Sequence, residues 1–494
     1  MVFETIPQLV LENGRKFGSA PAYFVRGAER WEATSWAGYA GEVRRAGAAL
    51  VALGVEPGQA VCILGANRAE WVITDVGAMA AGAIPAGIYA TSSPAECAYI
   101  LNHSEAPVVL VENEAQWQKI AAVRDDLPHL RHVVTMKGPG VDDPLVLSWD
   151  AFMAKGEKER GIDDRLEALR PDTVTTYIYT SGTTGRPKAV MLTQDNLAWT
   201  AAQACDLAQA TSKDRLVSYL PLSHVAEQMF TIHIAAVAGY PVYFAQSLDR
   251  LNANLLEVEP TLFFGVPRVW EKFHAGVLEK LKENTGIKAK LVDRAAVVGR
   301  RVVDALCRGE RPSLPDAAQF SFFEHVVYSK VQQGLGLDKA RMCVSGAAPV
   351  SKEILEFFAG FGMPVYEVYG QSEDCGPTSF NSPGRTRFGS VGPPFPGVDV
   401  KIAPDGEIIV RGRNVFAGYA KDPEATAEAL ADGWLHSGDL GEFDADGFLT
   451  ITGRKKDLII TAGGKNVAPK LLEGGLRNHP LVAEAVIVGD RRKF

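Results

Sequence analysis

Cysteine pairs are missing from this sequence. Its six cysteines, Cys62, Cys97, Cys205, Cys307, Cys343 and Cys375, are scattered over 494 residues and form no C-x-x-C. That argues against a disulfide framework or a thiolate zinc site, and for a reducing cytosol. His129 and His132 lack the acidic partner of an H-E-x-x-H zinc motif. Long apolar runs are missing too. The most apolar stretch, VGAMAAGAIPAGIYA, is short for a bilayer and is broken by Gly and Pro. The start, MVFETIPQLVLENGRKFG, has Glu4 and Glu12 where a secretory leader is basic and then apolar. No long basic run occurs and the net charge is −8, which speaks against nucleic-acid binding through a broad basic face. No G-x-G-x-x-G follows a strand, against a dinucleotide-binding dehydrogenase. Gly370–Asp374 lacks the second glycine of a hydrolase elbow. The expectation is a cytoplasmic protein, with peripheral contact to a membrane left open.

What is present reads as α/β. Hydrophobic residues make up 47% and charged residues 22%, an ordinary globular balance. Ser35 to Leu53 puts Trp36, Tyr39, Val43, Gly47, Leu50 and Leu53 on one helical face. QAVCILG, RAEWVITDVGAMAAG, AIPAGIY, SPAECAYILNHS and APVVLVE then alternate strand and helix, which predicts a parallel sheet covered by helices. Residues 138–172 read as a connection with one short helix. Alternation resumes at TTYIYT and continues to PVYEVYG, around one long basic helical stretch at about 270–310. After residue 385 the texture changes to short strands with Gly and Pro turns, the mark of a small β region. The expected division is 1–170 and 171–384 as two doubly wound α/β subdomains, and 385–455 as a small β-barrel-like subdomain. Residues 456–494 would be an incomplete small α+β domain, because so short a piece rarely folds alone.

The segment most informative about chemistry is YTSGTTGRPKAVMLT, Tyr179 to Thr193. Thr180, Ser181, Gly182, Thr183, Thr184 and Gly185 are followed by the cations Arg186 and Lys188. Glycines let backbone N–H groups turn toward an anion, hydroxyls add donors, and lysine adds a point charge. The pattern suits a polyphosphate. It is not a Walker A loop, because Gly182 and Gly185 are too close, Pro187 intervenes, and a strand rather than a helix follows. A loop rich in Ser, Thr and Gly is more often a plain surface loop; the full string is what sets this one apart.

With that string the chain resembles the adenylate-forming superfamily, and within it the long-chain fatty acyl-CoA synthetases of the bubblegum type. Five further segments carry the resemblance, in the family's order: LPLSHVAEQ, SGAAP, YGQSE, SGD and GRKKD, with AGGKNVAP after them. It implies that Thr180 to Gly185 and Lys188 hold the ATP phosphates, with Thr184, Lys188, Ser372 and Glu373 as catalytic groups. Gly346, Ala347, Ala348, Pro349, Tyr369 and Gly370 would receive adenine, with Glu367 a candidate acceptor for its amino group. Asp439 and Arg454 would take the ribose, and Glu373 would hold Mg²⁺. His224 would sit at the acyl site, joined by Phe264 and Gly265. Lys456 would be a hinge, and Gly463 and Gly464 would flank the coenzyme A channel.

The residue types suit these roles. Tyrosine gives a purine a flat apolar face, a carboxylate is a hard ligand for magnesium, and an aspartate accepts from sugar hydroxyls. Each also has a plainer reading: Tyr369 or Phe264 as core, Glu373 or Asp439 in a surface ion pair, His224 as a satisfied core histidine. The implied activity is fatty-acid activation by ATP to acyl-AMP and pyrophosphate, then transfer to coenzyme A. The partners are thus fatty acid, ATP, Mg²⁺ and coenzyme A, with a homodimer left open. An acyl-AMP ligase that loads a carrier protein, or a non-catalytic binder of adenylate or acyl-CoA, are the alternatives. The sequence departs from the family at Ala189 and Gln194, where Gly and His are usual. Nothing matches the final Gly-Lys motif in which the family places a catalytic lysine, so the chain reads as ending inside a domain.

Overall fold

A computed structural model describes residues 5–138, 140–180 and 185–460, and 466–467, 469, 472–473, 476, 481–482 and 485–489 beyond them. The chain folds as two compact units. The first comprises Met1–Asn254 and Arg413–Thr426, the second Leu255–Gly412 and Ala427–Phe494. The α/β class expected from the sequence holds.

In the first unit, a sheet runs in the order Gly418–Tyr419, Lys188–Thr193, Val174–Thr180, Ile84–Ile88, Ala60–Leu64, Val108–Val111, His132–Thr135, Val146–Ser148. The strands from Val174–Thr180 onward in that order are parallel, and the first two pairings are antiparallel. Their apolar residues are buried on both faces, as parallel strands require. Helices start where short polar side chains can cap them. Ser35 accepts from the Gly38 amide ahead of Trp36–Ala52, and Ser93 and Glu96 form a reciprocal box ahead of Pro94–Ser104. Val174–Thr180 pairs with Ile84–Ile88, so one sheet continues through the boundary expected at residue 170. The segment read as a connection contains a strand, Val146–Ser148, and two helices, Trp149–Gly156 and Ile162–Ala168. Ile162 and Leu166 pack with Ala48, Ala80 and Ala81, and this burial orders a polar-looking stretch.

The second unit has a parallel trio, Leu262–Gly265, Met342–Ser345 and Val365–Tyr369, with Ser379–Phe380 antiparallel at its edge. The basic stretch at 270–310 is two helices, Pro267–Lys282 and Ile287–Cys307, separated where Gly286 turns to φ +60°. The β region is an antiparallel sheet of Asp399–Ile402, Glu407–Arg411, Trp434–Phe443 and Leu430–Ala431, with Leu449–Arg454 also paired to Trp434–Phe443. Gly447, at φ +79°, turns the hairpin at Asp446-Gly447. Residues 485–489, in the expected α+β segment, pair with no strand among the described residues.

Candidate nucleotide and acyl sites

Two of the sequence candidates, Gly265 and Glu367, fall in line through Ser345 at the carboxyl ends of the second unit's parallel strands. Gly265 is in register with Ser345, and Ser345 with Glu367. That edge is where open α/β sheets take ligands. Ser345 leads straight into the turn Gly346, Ala347, Ala348, Pro349. Gly346 is buried, and a Cβ there would lie 2.5 Å from Val368 Cγ1 and 2.9 Å from its carbonyl oxygen. Ala347 adopts φ +67°, an unusual conformation for a residue with a side chain, and is exposed with Ala348 and Pro349. Phe264 is buried, with a ring carbon 3.4 Å from that same Gly346 Cβ position, so Phe264 and the Gly346–Pro349 turn are neighbours. Gly265 approaches the Trp270 indole, which donates to the Gly265 carbonyl at 3.0 Å.

Tyr369 links this edge to the β sheet. Its hydroxyl donates to Asp439 Oδ2 at 2.9 Å, and Arg454 Nε lies 3.2 Å from Asp439 Oδ1. Asp439 and Arg454 are direct cross-strand partners. Burial raises the Asp439 carboxyl above its ordinary range, and Arg454 and Tyr369 oppose that shift. The SGD segment is held from beneath. Ser437 donates to the Ile408 carbonyl at 2.6 Å and accepts from the Asp439 amide at 3.1 Å, while the Gly438 amide donates to Glu407 Oε1 at 2.9 Å. Glu407 also accepts from Lys455 at 3.0 Å, and Lys455 contacts Asp405 at 2.6 Å. Lys456, next along, is exposed.

Ser372, Glu373 and Asp374 form a single 3₁₀ turn after Gly370. Asp374 is fully buried, accepts from Thr378 and from the Gln371 amide, and is raised by burial to about 7. Glu373 is half-buried beside it. Among the described residues no cluster of three or more His, Cys, Asp or Glu could cage a metal. The donor set suits magnesium all the same, since that ion commonly takes one or two carboxylates and completes its shell with phosphate oxygens and water. Glu367 is buried and accepts from the Gly389 amide at 3.3 Å; burial raises it to about 8, against the pull of that amide.

In the first unit, Thr180 faces Lys188 across the two strands that bracket the loop. Ser181, Gly182, Thr183 and Thr184 lie outside the described residues, as do Gly463 and Gly464. Gly185 has φ +153° with open space where a side chain would be. Lys188 Nζ is 3.7 Å from Asp422 and lies 4.9 Å from the Tyr419 ring centroid. Gln194 is buried and donates to Thr175 Oγ1 at 2.5 Å, so at this departure from the family the side chain serves the fold. Ala189 is wholly buried in its strand. His224 caps the four-residue helix Val225–Gln228, its Nδ1 accepting from the Ala226 amide at 3.2 Å. Burial lowers its pKa, which favours the neutral ring.

Sequence reading missed Asp374, Glu407, Asn67 and Glu227. Asp374 is marked only by its place directly after YGQSE, and nothing in the sequence marks Glu407. Glu227 stands inside LPLSHVAEQ, where a glutamate amid apolar residues was the available signal.

Asp374, Glu227 and Glu367 all have pKa values raised by burial in the fold, to about 7, 7 and 8. A carboxyl raised in the native state contributes stability that is fully present below its unfolded pKa and is lost as pH rises through the folded value. Wild type should therefore lose stability relative to Glu367→Gln between about pH 5 and about pH 8.5. Urea midpoints across that range check this; a constant difference would contradict it.

The chain belongs to the family of AMP-binding enzymes, whose profile it matches over residues 10–420. The fold agrees. The anthranilate CoA ligase AuaEII, solved with anthranoyl-AMP, superposes with a TM-score of 0.75 at 22% identity, covering 99% of this chain and 84% of that one. The o-succinylbenzoate CoA synthetase MenE of Bacillus subtilis, solved with its acyl-adenylate intermediate, gives 0.73 at 23% identity, covering 97% and 84%. Among curated proteins, the chain is similar to the long-chain-fatty-acid–CoA ligase ACSBG2 of Xenopus laevis, 41% identical over 508 residues, 99% of this chain and 68% of the relative. The human ACSBG2 is 38% identical over 505 residues, 99% of this chain and 75% of its own length.

Proposed function

We propose that this chain activates a long-chain fatty acid with ATP and passes the acyl group to coenzyme A. The observation that carries this is similarity to long-chain-fatty-acid–CoA ligases along 99% of the chain. The difficulty the protein must solve is electrostatic. A carboxylate must approach an anionic triphosphate, and two like charges at 4 Å repel by about 4 kcal/mol at an effective dielectric of 20. Lys188 and the donors of residues 180–185 are assigned to the phosphates. Tyr369, the Gly346–Pro349 turn, Asp439 and Arg454 are assigned to adenosine. Glu373 is assigned to magnesium, which when bound neutralises phosphate charge. A fatty-acid oxygen attacks the α-phosphorus and pyrophosphate leaves. The coenzyme A thiol, losing its proton, then attacks the acyl carbon and AMP leaves. Positioning and charge stabilisation suffice for the first step, and no covalent protein intermediate is required. Because Asp439 already binds Tyr369 and Arg454, the ribose hydroxyls join or displace those contacts.

Pyrophosphate release across C2 to C18 acids, with and without coenzyme A, tests the reading. Release that peaks with long chains, and thioester formed only with coenzyme A, is the expected result. Release with no free thioester, but with acylated carrier protein, would replace coenzyme A as the acceptor.

The fatty-acid reading extends to a membrane surface. Six large apolar residues are exposed between 278 and 322, among them Ile287 at 86%, Leu314 at 87% and Phe322 at 56%. Residues 267–314 carry eleven Lys and Arg against six Asp and Glu, in a chain of net charge −8. Apolar residues set among cations suit an anionic bilayer surface. No described helix is long and apolar enough to cross one. Sedimentation with anionic vesicles, but not neutral ones, is expected, and Ile287→Glu with Leu314→Glu should abolish it. Equal binding by that variant would refute the assignment.

A further inference from the structure

His224 sits at the end of a bend, Tyr219 to His224, that has no regular structure of its own. Two side chains from other segments hold it. Asn67 donates through Nδ2 to the Leu220 carbonyl at 2.6 Å and to Ser218 Oγ at 2.8 Å, and its Oδ1 accepts from the Leu222 amide at 3.2 Å. Glu227, only 3% exposed, accepts at one oxygen from Ser218 Oγ at 2.7 Å, Thr231 Oγ1 at 2.7 Å, the Tyr219 amide at 3.2 Å and Asn67 Nδ2 at 3.3 Å. Gln228 Nε2 adds a bond to the Leu222 carbonyl at 2.9 Å. The helix that carries Glu227 runs directly into a π-turn, Met229–His233, a feature often found next to functional sites.

Burying a carboxyl costs several kcal/mol unless donors surround it. A glutamine or an apolar side chain would fill the same space without that cost. We infer that Glu227 is a positioning residue for fatty-acid activation, fixing with Asn67 the bend that presents the His224 ring to the acid. This rests on the assignment of His224 to the acyl site. Because Nδ1 accepts from Ala226, the neutral ring carries its proton on Nε2, and a displaced bend would re-aim that donor.

The network also carries a pH signature. Burial raises Glu227 to about 7, against the donors that favour its ionised form. Tyr219 and Tyr240 are raised well above the ordinary tyrosine range, chiefly by burial, and burial lowers His224 and brings His233 to about 3. As Glu227 ionises it becomes the better acceptor, so the bend tightens as pH rises through about 7.

The test is steady-state kinetics on Glu227→Gln, which keeps the volume and one acceptor oxygen but removes the titratable charge. The KM for palmitate should rise roughly tenfold, with the KM for ATP within about twofold and the melting temperature little changed. In wild type, kcat/KM for palmitate should rise through about pH 7, and the variant should lack that limb. Thr231→Val removes one donor that favours the ionised form, and should move the limb to higher pH. A variant with lower stability but wild-type kinetics in its folded fraction would make Glu227 purely structural and overturn the inference. If Glu227→Gln does not fold, an unmoved limb in Thr231→Val overturns it instead. His224→Ala separates the two levels: unchanged palmitate kinetics there would remove the acyl-site assignment, whereas an effect there with none at Glu227 removes only this inference.

Discussion

Glu373→Ala is expected to lower magnesium-dependent pyrophosphate release by about 10²- to 10³-fold, the loss typical when one charge-stabilising group is removed. The reason lies in how the 3₁₀ turn divides its two carboxyls. Asp374 is enclosed, taken up by Thr378 and the Gln371 amide, and raised by burial to about 7. It serves the turn and is a poor metal ligand while protonated. Glu373 keeps partial access to solvent and is the hard oxygen donor that remains. Glu373→Gln tests charge at nearly constant shape and should behave almost as badly as the alanine. Circular dichroism and melting temperature should match wild type for both. Unimpaired pyrophosphate release by either variant would remove Glu373 from the metal site.

Gly370→Ala should be the most damaging single methyl group in the second unit. A Cβ there would stand 1.6 Å from the Gly376 carbonyl oxygen, 2.6 Å from its carbon and 2.9 Å from the Thr378 nitrogen. All three are backbone atoms, so no flexible side chain can move aside. Overpacking of this kind costs roughly 1–3 kcal/mol, and the upper end or beyond is expected where backbone must shift. The shift would fall on the Gln371–Thr378 loop that carries Ser372 and Glu373. AMP affinity should therefore drop together with stability, as read by calorimetric titration and a urea melt. Wild-type affinity in Gly370→Ala would show that the loop relaxes without moving the nucleotide groups.

Much of this was legible in the sequence, for identifiable reasons. The strands Ala60–Leu64 and Val108–Val111 are short, wholly apolar and set between helices of which all but Ala69–Ala80 are capped by a side chain, so period and punctuation agree. Tyr369, Asp439 and Arg454 stood in motifs, and the fold brings them into hydrogen-bonding distance across 70 residues of chain. The strand at Val146–Ser148 was not legible. It is three half-buried residues whose identity as a strand comes from its neighbour His132–Thr135 and not from any local pattern. The break at Gly286 was hidden because the helical period resumes on its far side. Asn67 was invisible for a different reason: its partners Ser218, Leu220 and Glu227 lie 151 to 160 residues along the chain, and no spacing rule records that.

Lys455 and Lys456 are neighbours of the same type with different fates. Lys455 is moored to Asp405 and to Glu407, the latter on the strand beside the one that bears Asp439, while Lys456 extends into solvent. A backbone rotation beginning at residue 456 would thus leave the strands bearing Glu407 and Asp439 undisturbed, because it meets a doubly tethered ammonium first. High salt, which weakens exposed ion pairs, would slacken that mooring and let the same motion tug on the strand bearing Asp439.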